Sequence, residues 1–295
     1  MPVDLRRGLI AIGLAVVVIA SGCSREEATN PVRSSYPGEI YVAGFGSNSL
    51  YVVRPNGDAG QATVSQVDVG TRPVSVTPVP NDVPNAGAVI VTNFGNPQDP
   101  GTLSVVQPSG TVSTVNVGSG PILARIAPGG TPNAGDIYVA NYGHDGQGDT
   151  ITRVSSDLRS SATIKVCVGP AAMAIVGVGP PDAGTVFIAC EQGSVAIVTP
   201  QNGVKIIPLR LKSNGVTIFR SAPREISSAI FADDANGSGY AVEVDSSGSE
   251  VKRLKIASDL PHQPIPGEMD GAAGVYFTQY AGERPRVLSA SFRVT

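Results

Sequence analysis

The segment Ile137-Tyr138-Val139-Ala140-Asn141-Tyr142-Gly143 decides the fold, because copies of it recur along the chain. Close copies are IYVAGFG at 40–46 and IVTNFG at 90–95, and a fourth, VFIAC at 186–190, has cysteine where Asn141 stands. Fainter copies occupy 229–233 and 275–279. The aligned positions 44, 93, 141, 190, 233 and 279, here called the slot positions, lie 49, 48, 49, 43 and 46 residues apart. This regularity indicates an internal repeat.

Turn and strand signals share the period. PNAG at 84–87 and 132–135 and PDAG at 181–184 precede three of the copies, and a Val-Gly-x-x-Pro element closes units at 69–73 and 117–121, recurring in shortened form at 168–170. Each period contains four short strands, as at 40–43, 50–54, 63–69 and 74–78. A four-stranded antiparallel unit at this spacing is a propeller blade. The sequence predicts an all-β propeller of six blades, with seven blades or an incomplete ring left open because no strand precedes Ile40.

The slot motif, the strand that follows it and the Val-Gly-x-x-Pro closure resemble the YVTN-type (YncE-like) propeller repeats of bacterial surface and periplasmic proteins. The resemblance covers residues 39–200 well and 201–295 faintly. It implies the fold and an extracytoplasmic compartment, and it says little about function.

The N-terminal residues predict a targeting signal. Arg6 and Arg7 precede an uncharged apolar run at 8–20, which is shorter than the roughly 20 residues that cross a bilayer but fits a signal peptide. The sequence ASGC at 20–23 resembles the lipobox of bacterial lipoproteins, which implies cleavage after residue 22 and lipidation of Cys23. An ordinary secretory signal with an incidental cysteine is the alternative. The sequence therefore predicts a signal peptide at 1–22, a lipidated Cys23 with a flexible polar tether at 23–38, and a propeller domain at 39–295. The lipid would anchor the propeller outside the cytoplasm, to the cell membrane or the outer membrane.

Composition agrees with short strands and turns. The chain of 295 residues contains 35 Gly and 24 Pro, and charged residues make up 15%. A formal net charge of −3, with no basic run interleaved with aromatic residues, argues against a nucleic-acid partner.

Two cysteines besides Cys23 are available for pairing. Cys167 ends an outer strand just before a crossover, and Cys190 ends the second strand of the next blade, so both side chains reach the same face. In an oxidising compartment this pair predicts a structural disulfide, with two buried free thiols as the alternative.

The loops that follow the slot positions all emerge on one face of a propeller, which makes this face the expected ligand face. The candidate residues on it are Asn93, Asn141, His144, Asp145, Asp149, Glu191, Asp233 and Asp234. Asp145 and Asp149, with loop carbonyls, could hold Ca²⁺, the alternative being a solvated glycine-rich turn; Asp233 and Asp234 present the same two interpretations. Recurring Asn at the slot has a structural explanation, since Asn at a strand end hydrogen-bonds its own loop backbone.

These observations favour a non-catalytic binding or interaction module with no resident cofactor and no catalytic residue. Its partners would be the membrane, through the lipid, and an envelope protein or small-molecule ligand. The competing class is a Ca²⁺-dependent propeller enzyme of the lactonase, lyase or hydrolase kind. A quinone-cofactor dehydrogenase is disfavoured, since such propellers resemble one another in blades docked by Trp and this chain has no Trp.

Overall fold

The computed structural model describes residues 38–55, 62–209, 216–219, 227–235, 238–257, 265–267, 274–279 and 286–291. The regular structure of these residues is β: 22 strands form six antiparallel sheets, four with four strands and two with three. Within the same residues no helix has the length and apolar character needed to cross a membrane. The predicted signal peptide, the lipidated Cys23 and the closure of the ring lie outside the described residues.

The strands follow one another in chain order, and each sheet is made from consecutive strands. The first sheet contains β1 (Ile40–Gly44), β2 (Ser49–Pro55) and β3 (Ala62–Asp68). The second contains β4 (Pro73–Pro78), β5 (Val89–Asn93), β6 (Thr102–Val106) and β7 (Val112–Asn116). The third contains β8 (Pro121–Ile126), β9 (Ile137–Asn141), β10 (Thr150–Val154) and β11 (Ser161–Lys165).

The remaining sheets repeat this order. The fourth contains β12 (Pro170–Ile175), β13 (Val186–Cys190), β14 (Ser194–Val198) and β15 (Val204–Pro208). The fifth contains β16 (Val216–Phe219), β17 (Ser228–Ala235), β18 (Ser238–Asp245) and β19 (Glu250–Ala257). The sixth contains β20 (Ile265–Gly267), β21 (Gly274–Gln279) and β22 (Arg286–Ser291).

The sheets are arranged as the blades of a propeller. The first strands of successive sheets contact one another, β4 with β8, β8 with β12, β12 with β16 and β16 with β20. The outer strands β7, β11 and β15 present mostly exposed side chains. The predicted all-β propeller class is therefore confirmed, and the Val-Gly-x-x-Pro element is the crossover from the outer strand of one sheet to the first strand of the next.

Strand pairing sets the boundary between the first two sheets. Residues 74–78 lie in β4, which pairs with β5 and opens the second sheet. The pairing of each first strand shifts by one residue next to its initial proline, at Pro73, Pro121 and Pro170. A bulge at the same place in three sheets marks a repeated structural feature.

The core lies between the sheets. In β9 the side chains of Ile137 and Val139 pack towards the second sheet, and those of Tyr138 and Ala140 pack towards the fourth. Because both faces of the strand are covered, all five of its residues are buried, which explains a continuous apolar run in place of an alternating one.

The PNAG turns connect neighbouring sheets as well as strands. Asn85 Nδ2 donates to the Ser156 carbonyl of the third sheet at 2.8 Å, and Asn133 Nδ2 donates to the Gly184 carbonyl of the fourth at 3.0 Å. In the PDAG turn the Asp182 carboxylate accepts a bond from the Ser227 amide of the fifth sheet at 2.9 Å. The recurrence of Asn or Asp in this turn therefore reflects a bond between sheets.

Candidate binding face

The slot asparagines lie beneath the ligand face and not on it. Asn141 is 1% exposed, its Nδ2 donates to the hydroxyls of Thr150 and Thr152 at 3.0 Å each, and its Oδ1 accepts from the Gly118 amide at 3.1 Å. Asn93 is fully buried and donates to Thr102 and Ser104 in the same way. Their expected place among the ligand-face residues is wrong. Their structural role holds, but the partners are hydroxyls of the next strand and not the loop backbone. The crossover amide of Gly118 donates to Asn141, whereas that of Gly70 donates to the Ser104 hydroxyl at 3.1 Å beside Asn93.

The crossover glycine is required by this arrangement. A Cβ atom on Gly118 would lie 2.5 Å from Cγ of Asn141, and one on Gly70 would lie 2.6 Å from Cγ of Asn93. The asparagine, its glycine and the two hydroxyls form one unit, here called the slot lock.

In the fourth sheet a disulfide takes the place of the asparagine and glycine of the slot lock. Cys167 and Cys190 are bonded to each other, with their Cα atoms 5.9 Å apart, as the sequence predicted. Val166 N donates to Asp149 O as Val117 N donates to Gly101 O, and Glu191 N donates to Gly169 O as Tyr142 N donates to Gly120 O. Cys167 thus occupies the position of Gly118, and Cys190 that of Asn141. The crossover expected to be shortened at 168–170 has its full length from Val166 to Pro170.

Above the slot locks, the loop ends bring together aromatic and cationic side chains from neighbouring sheets. Phe45 follows β1 directly and is 46% exposed, and the Arg72 guanidinium carbon lies 5.8 Å from the centre of its ring. The Phe94 ring, which follows β5, meets His144 edge to face with their centres 4.3 Å apart. Burial and then the charge of Arg72 lower the pKa of His144. These four residues, Phe45, Arg72, Phe94 and His144, form the aromatic–arginine cluster.

The next part of the face carries a hydrogen-bonded pair. The Tyr142 hydroxyl, which follows the slot of β9, donates to the Glu191 carboxylate, which follows the slot of β13. Burial and this carboxylate together raise the pKa of Tyr142. Tyr142 is therefore a protonated hydrogen-bond donor at neutral pH, and Glu191, a predicted ligand-face residue, is already engaged by it.

The acidic candidates do not form a group. Asp145 is exposed and accepts the amide of Gln147 at 3.0 Å, whereas Asp149 pairs with Lys165 at 3.3 Å. Asp233 and Asp234 were expected in a loop but belong to β17, where they pair with Tyr240 and Gly239 of β18. In the described part of the chain no set of three His, Cys, Asp or Glu side chains is placed to hold a metal ion.

Sequence reasoning missed the aromatic–arginine cluster apart from His144. A signal was present, because an aromatic residue follows the slot in three copies, at Phe45, Phe94 and Tyr142. Arg72 carried no sequence signal, since it comes next to Phe45 only when the first crossover folds back over β1.

Comparison with known proteins supports the fold. No family model and no curated protein matches the chain. A functionally unknown protein from Desulfotomaculum acetoxidans DSM 771 superimposes with a TM-score of 0.54 at 14% identity, over 85% of this chain and 78% of the other. The crystal structure of BBS1N in complex with ARL6DN, soaked with mercury, gives a TM-score of 0.54 at 14% identity, over 84% of this chain and 72% of the other. At these identities the likeness is one of fold.

Proposed function

We propose that the chain is a non-catalytic binding module of the cell envelope, held to a membrane by a lipid on Cys23, and that it engages its partner through the aromatic–arginine cluster. The observation that carries the proposal is Phe45, a large apolar side chain left half-exposed beside a guanidinium at the loop-bearing end of the propeller. Aromatic and Arg side chains are the residue types that dominate binding energy in protein interfaces.

The fold is compatible with this role. BBS1N, which resembles this chain in fold, is in complex with ARL6DN in its crystal structure. A rigid propeller holds loops from successive sheets in fixed relative positions, so a cluster drawn from three sheets is pre-organised for binding.

Site-specific photocrosslinking tests the binding face. A photoreactive benzoylphenylalanine replaces Phe45 in the full chain, and the matched control replaces Val64, which is 60% exposed on the outer strand β3. We expect a discrete adduct on irradiation of cells with the first chain and none with the second. No adduct at position 45, or the same adducts at both positions, would refute the proposed face.

The anchor is tested separately. We expect the full chain to partition into the detergent phase on Triton extraction and its Cys23→Ala variant to partition into the aqueous phase. Equal partitioning of the two chains would refute lipidation at Cys23. It would not bear on the proposed binding face.

A Ca²⁺-dependent enzyme would need several oxygen ligands converging from different sheets. Asp145 and Asp149 make separate contacts, so the structure offers this class less support than it offers binding. Elemental analysis and thermal melts with and without EDTA distinguish the two classes: a stoichiometric Ca²⁺ with an EDTA-sensitive melt would favour the enzyme.

A further inference from the structure

The backbone of Arg72 is unusual for its residue type. Its φ is 55°, in the left-handed region that most residues avoid, and the same crossover position is glycine in the next two sheets, Gly120 at 56° and Gly169 at 73°. The Arg72 amide donates to Asn48 Oδ1 at 2.9 Å, which fixes this conformation. A side chain held where glycine is preferred points to a functional demand on that side chain.

In the described part of the chain the guanidinium of Arg72 makes no hydrogen bond or ion pair with a side chain. It lies over the Phe45 ring. Two carboxylates of the same face are engaged by other donors, Glu191 by Tyr142 and Asp145 by Gln147. An Arg guanidinium, which carries five N–H donors and here lies over an aromatic ring, is suited to a planar anion.

The neighbours of Arg72 decide which anion fits. A doubly charged phosphate calls for more than one cation. Burial and then the charge of Arg72 lower the pKa of His144, which disfavours a second positive charge in the cluster. Phe45 and Phe94 offer apolar surface on the same cluster. One cation beside aromatic rings matches one carboxylate attached to an apolar group.

We propose that the aromatic–arginine cluster is a binding site for an apolar carboxylate, with the Arg72 guanidinium holding the carboxylate and Phe45 and Phe94 contacting the apolar group. This proposal rests on the proposed function and names the chemistry of its ligand. The carboxylate belongs either to a small aromatic acid or to the C-terminal residue of a protein partner.

The test is a titration of the full chain, purified in detergent, followed by NMR chemical shifts. Its probes are benzoate, the neutral isostere benzamide, and inorganic phosphate. We expect benzoate to bind about tenfold or more tightly than benzamide or phosphate, since a bond to a charged group is lost with either substitute. Equal affinity for benzoate and benzamide, or tighter binding of phosphate, would overturn the proposal.

The key variant is Arg72→Gly, which restores the residue found at the equivalent crossovers, so we expect its melting temperature to equal or exceed that of the wild type. Benzoate affinity should fall about tenfold or more in this variant. The matched control is Arg159→Ala, at an exposed Arg in the β10–β11 turn, which should bind benzoate like the wild type. Unchanged affinity in Arg72→Gly would overturn the proposal even where crosslinking at position 45 succeeds.

A last binding experiment distinguishes the two sources of the carboxylate. A short peptide ending in Phe with a free C-terminus is compared with the same peptide amidated and with benzoate. Both carboxylate outcomes support the site: tighter binding of the free peptide than of benzoate assigns a protein C-terminus, and the reverse assigns a small acid. Equal binding of the free and amidated peptides, together with no binding of benzoate, overturns it.

Discussion

The disulfide of the fourth sheet and the asparagine locks of the second and third sheets occupy the same positions, so one should be exchangeable for the other. Cys190 faces Ser194 across the sheet where Asn141 faces Thr150, and the residue equivalent to Thr152 is Ala196. The fourth sheet thus lacks one of the two hydroxyls that an asparagine would need. The complete exchange is Cys167→Gly, Cys190→Asn and Ala196→Thr together.

The expected magnitudes follow from the structure. The disulfide closes a sequence separation of 23 residues, which by loop entropy corresponds to about 3.4 kcal/mol of stability. The double variant Cys167→Ser with Cys190→Ser should lose about that much. The triple exchange restores the three hydrogen bonds of a slot asparagine, worth about 1 kcal/mol each, so it should recover about 3 kcal/mol of the loss.

The assay is urea unfolding of the wild type, the serine pair and the triple exchange, all in the full chain. Ala196→Thr in the wild-type background is the control: Ala196 is fully buried, so an unpartnered hydroxyl there should destabilise by about 1–3 kcal/mol. The same substitution should stabilise the chain that carries Cys167→Gly and Cys190→Asn. A triple exchange no more stable than the serine pair, or an Ala196→Thr effect of the same sign in both backgrounds, would refute the equivalence of the two locks.

Three further predictions concern single residues. Asn141→Ala should lower the free energy of unfolding by about 2–3 kcal/mol because it leaves buried donors and acceptors unpaired, whereas Asn96→Ala, at a bond between exposed side chains, should change it by less than about 0.5 kcal/mol; equal effects in urea melts would contradict the buried lock. Asn133→Ala breaks the bonds to Gly184 O and the Tyr138 hydroxyl and should cost about 1–3 kcal/mol, with faster hydrogen exchange in both the third and fourth sheets; faster exchange in the third sheet alone would argue against a bond between sheets. Because burial and Arg72 lower the pKa of His144 below its ordinary 6.5, the unfolded chain binds this proton more readily, and stability present above pH 6.5 is lost as the pH falls below it. Urea midpoints at about pH 7.5 and about pH 5.5 should therefore differ less in His144→Gln than in the wild type, and an equal difference would count against a lowered pKa of His144.

The parts of the fold that follow from local pattern could be predicted from sequence. The slot repeat marked β1 in the first sheet and the second strand of each later sheet. The position of Cys167 before a crossover indicated its pairing with Cys190. The crossover at Val166 escaped recognition because Cys167 replaces the glycine that identified the element elsewhere. Asp233 and Asp234 were misplaced because β17 and β18 have eight residues each, which carries the strand past the slot position.

The binding face was less accessible to sequence reasoning. Its members, Phe45, Arg72, Phe94 and His144, lie 22 to 99 residues apart in the chain, and their contact depends on how neighbouring sheets twist against each other. The slot asparagines were placed on this face because a polar residue at a strand end ordinarily reaches solvent. Here the crossover backbone covers them, and only a glycine can make that approach.

The two kinds of slot lock also carry a historical consequence. If the sheets arose by duplication of one ancestral unit, the fourth acquired its cysteines by separate substitutions, and their order was not free. A side chain cannot enter at the crossover glycine while the asparagine is in place, because its first carbon would stand 2.5 Å from the asparagine side chain. The cysteine at the slot therefore came first and its crossover partner second. Related chains at the intermediate stage should keep the crossover glycine and carry a single cysteine at the slot. None should combine a crossover cysteine with a slot asparagine.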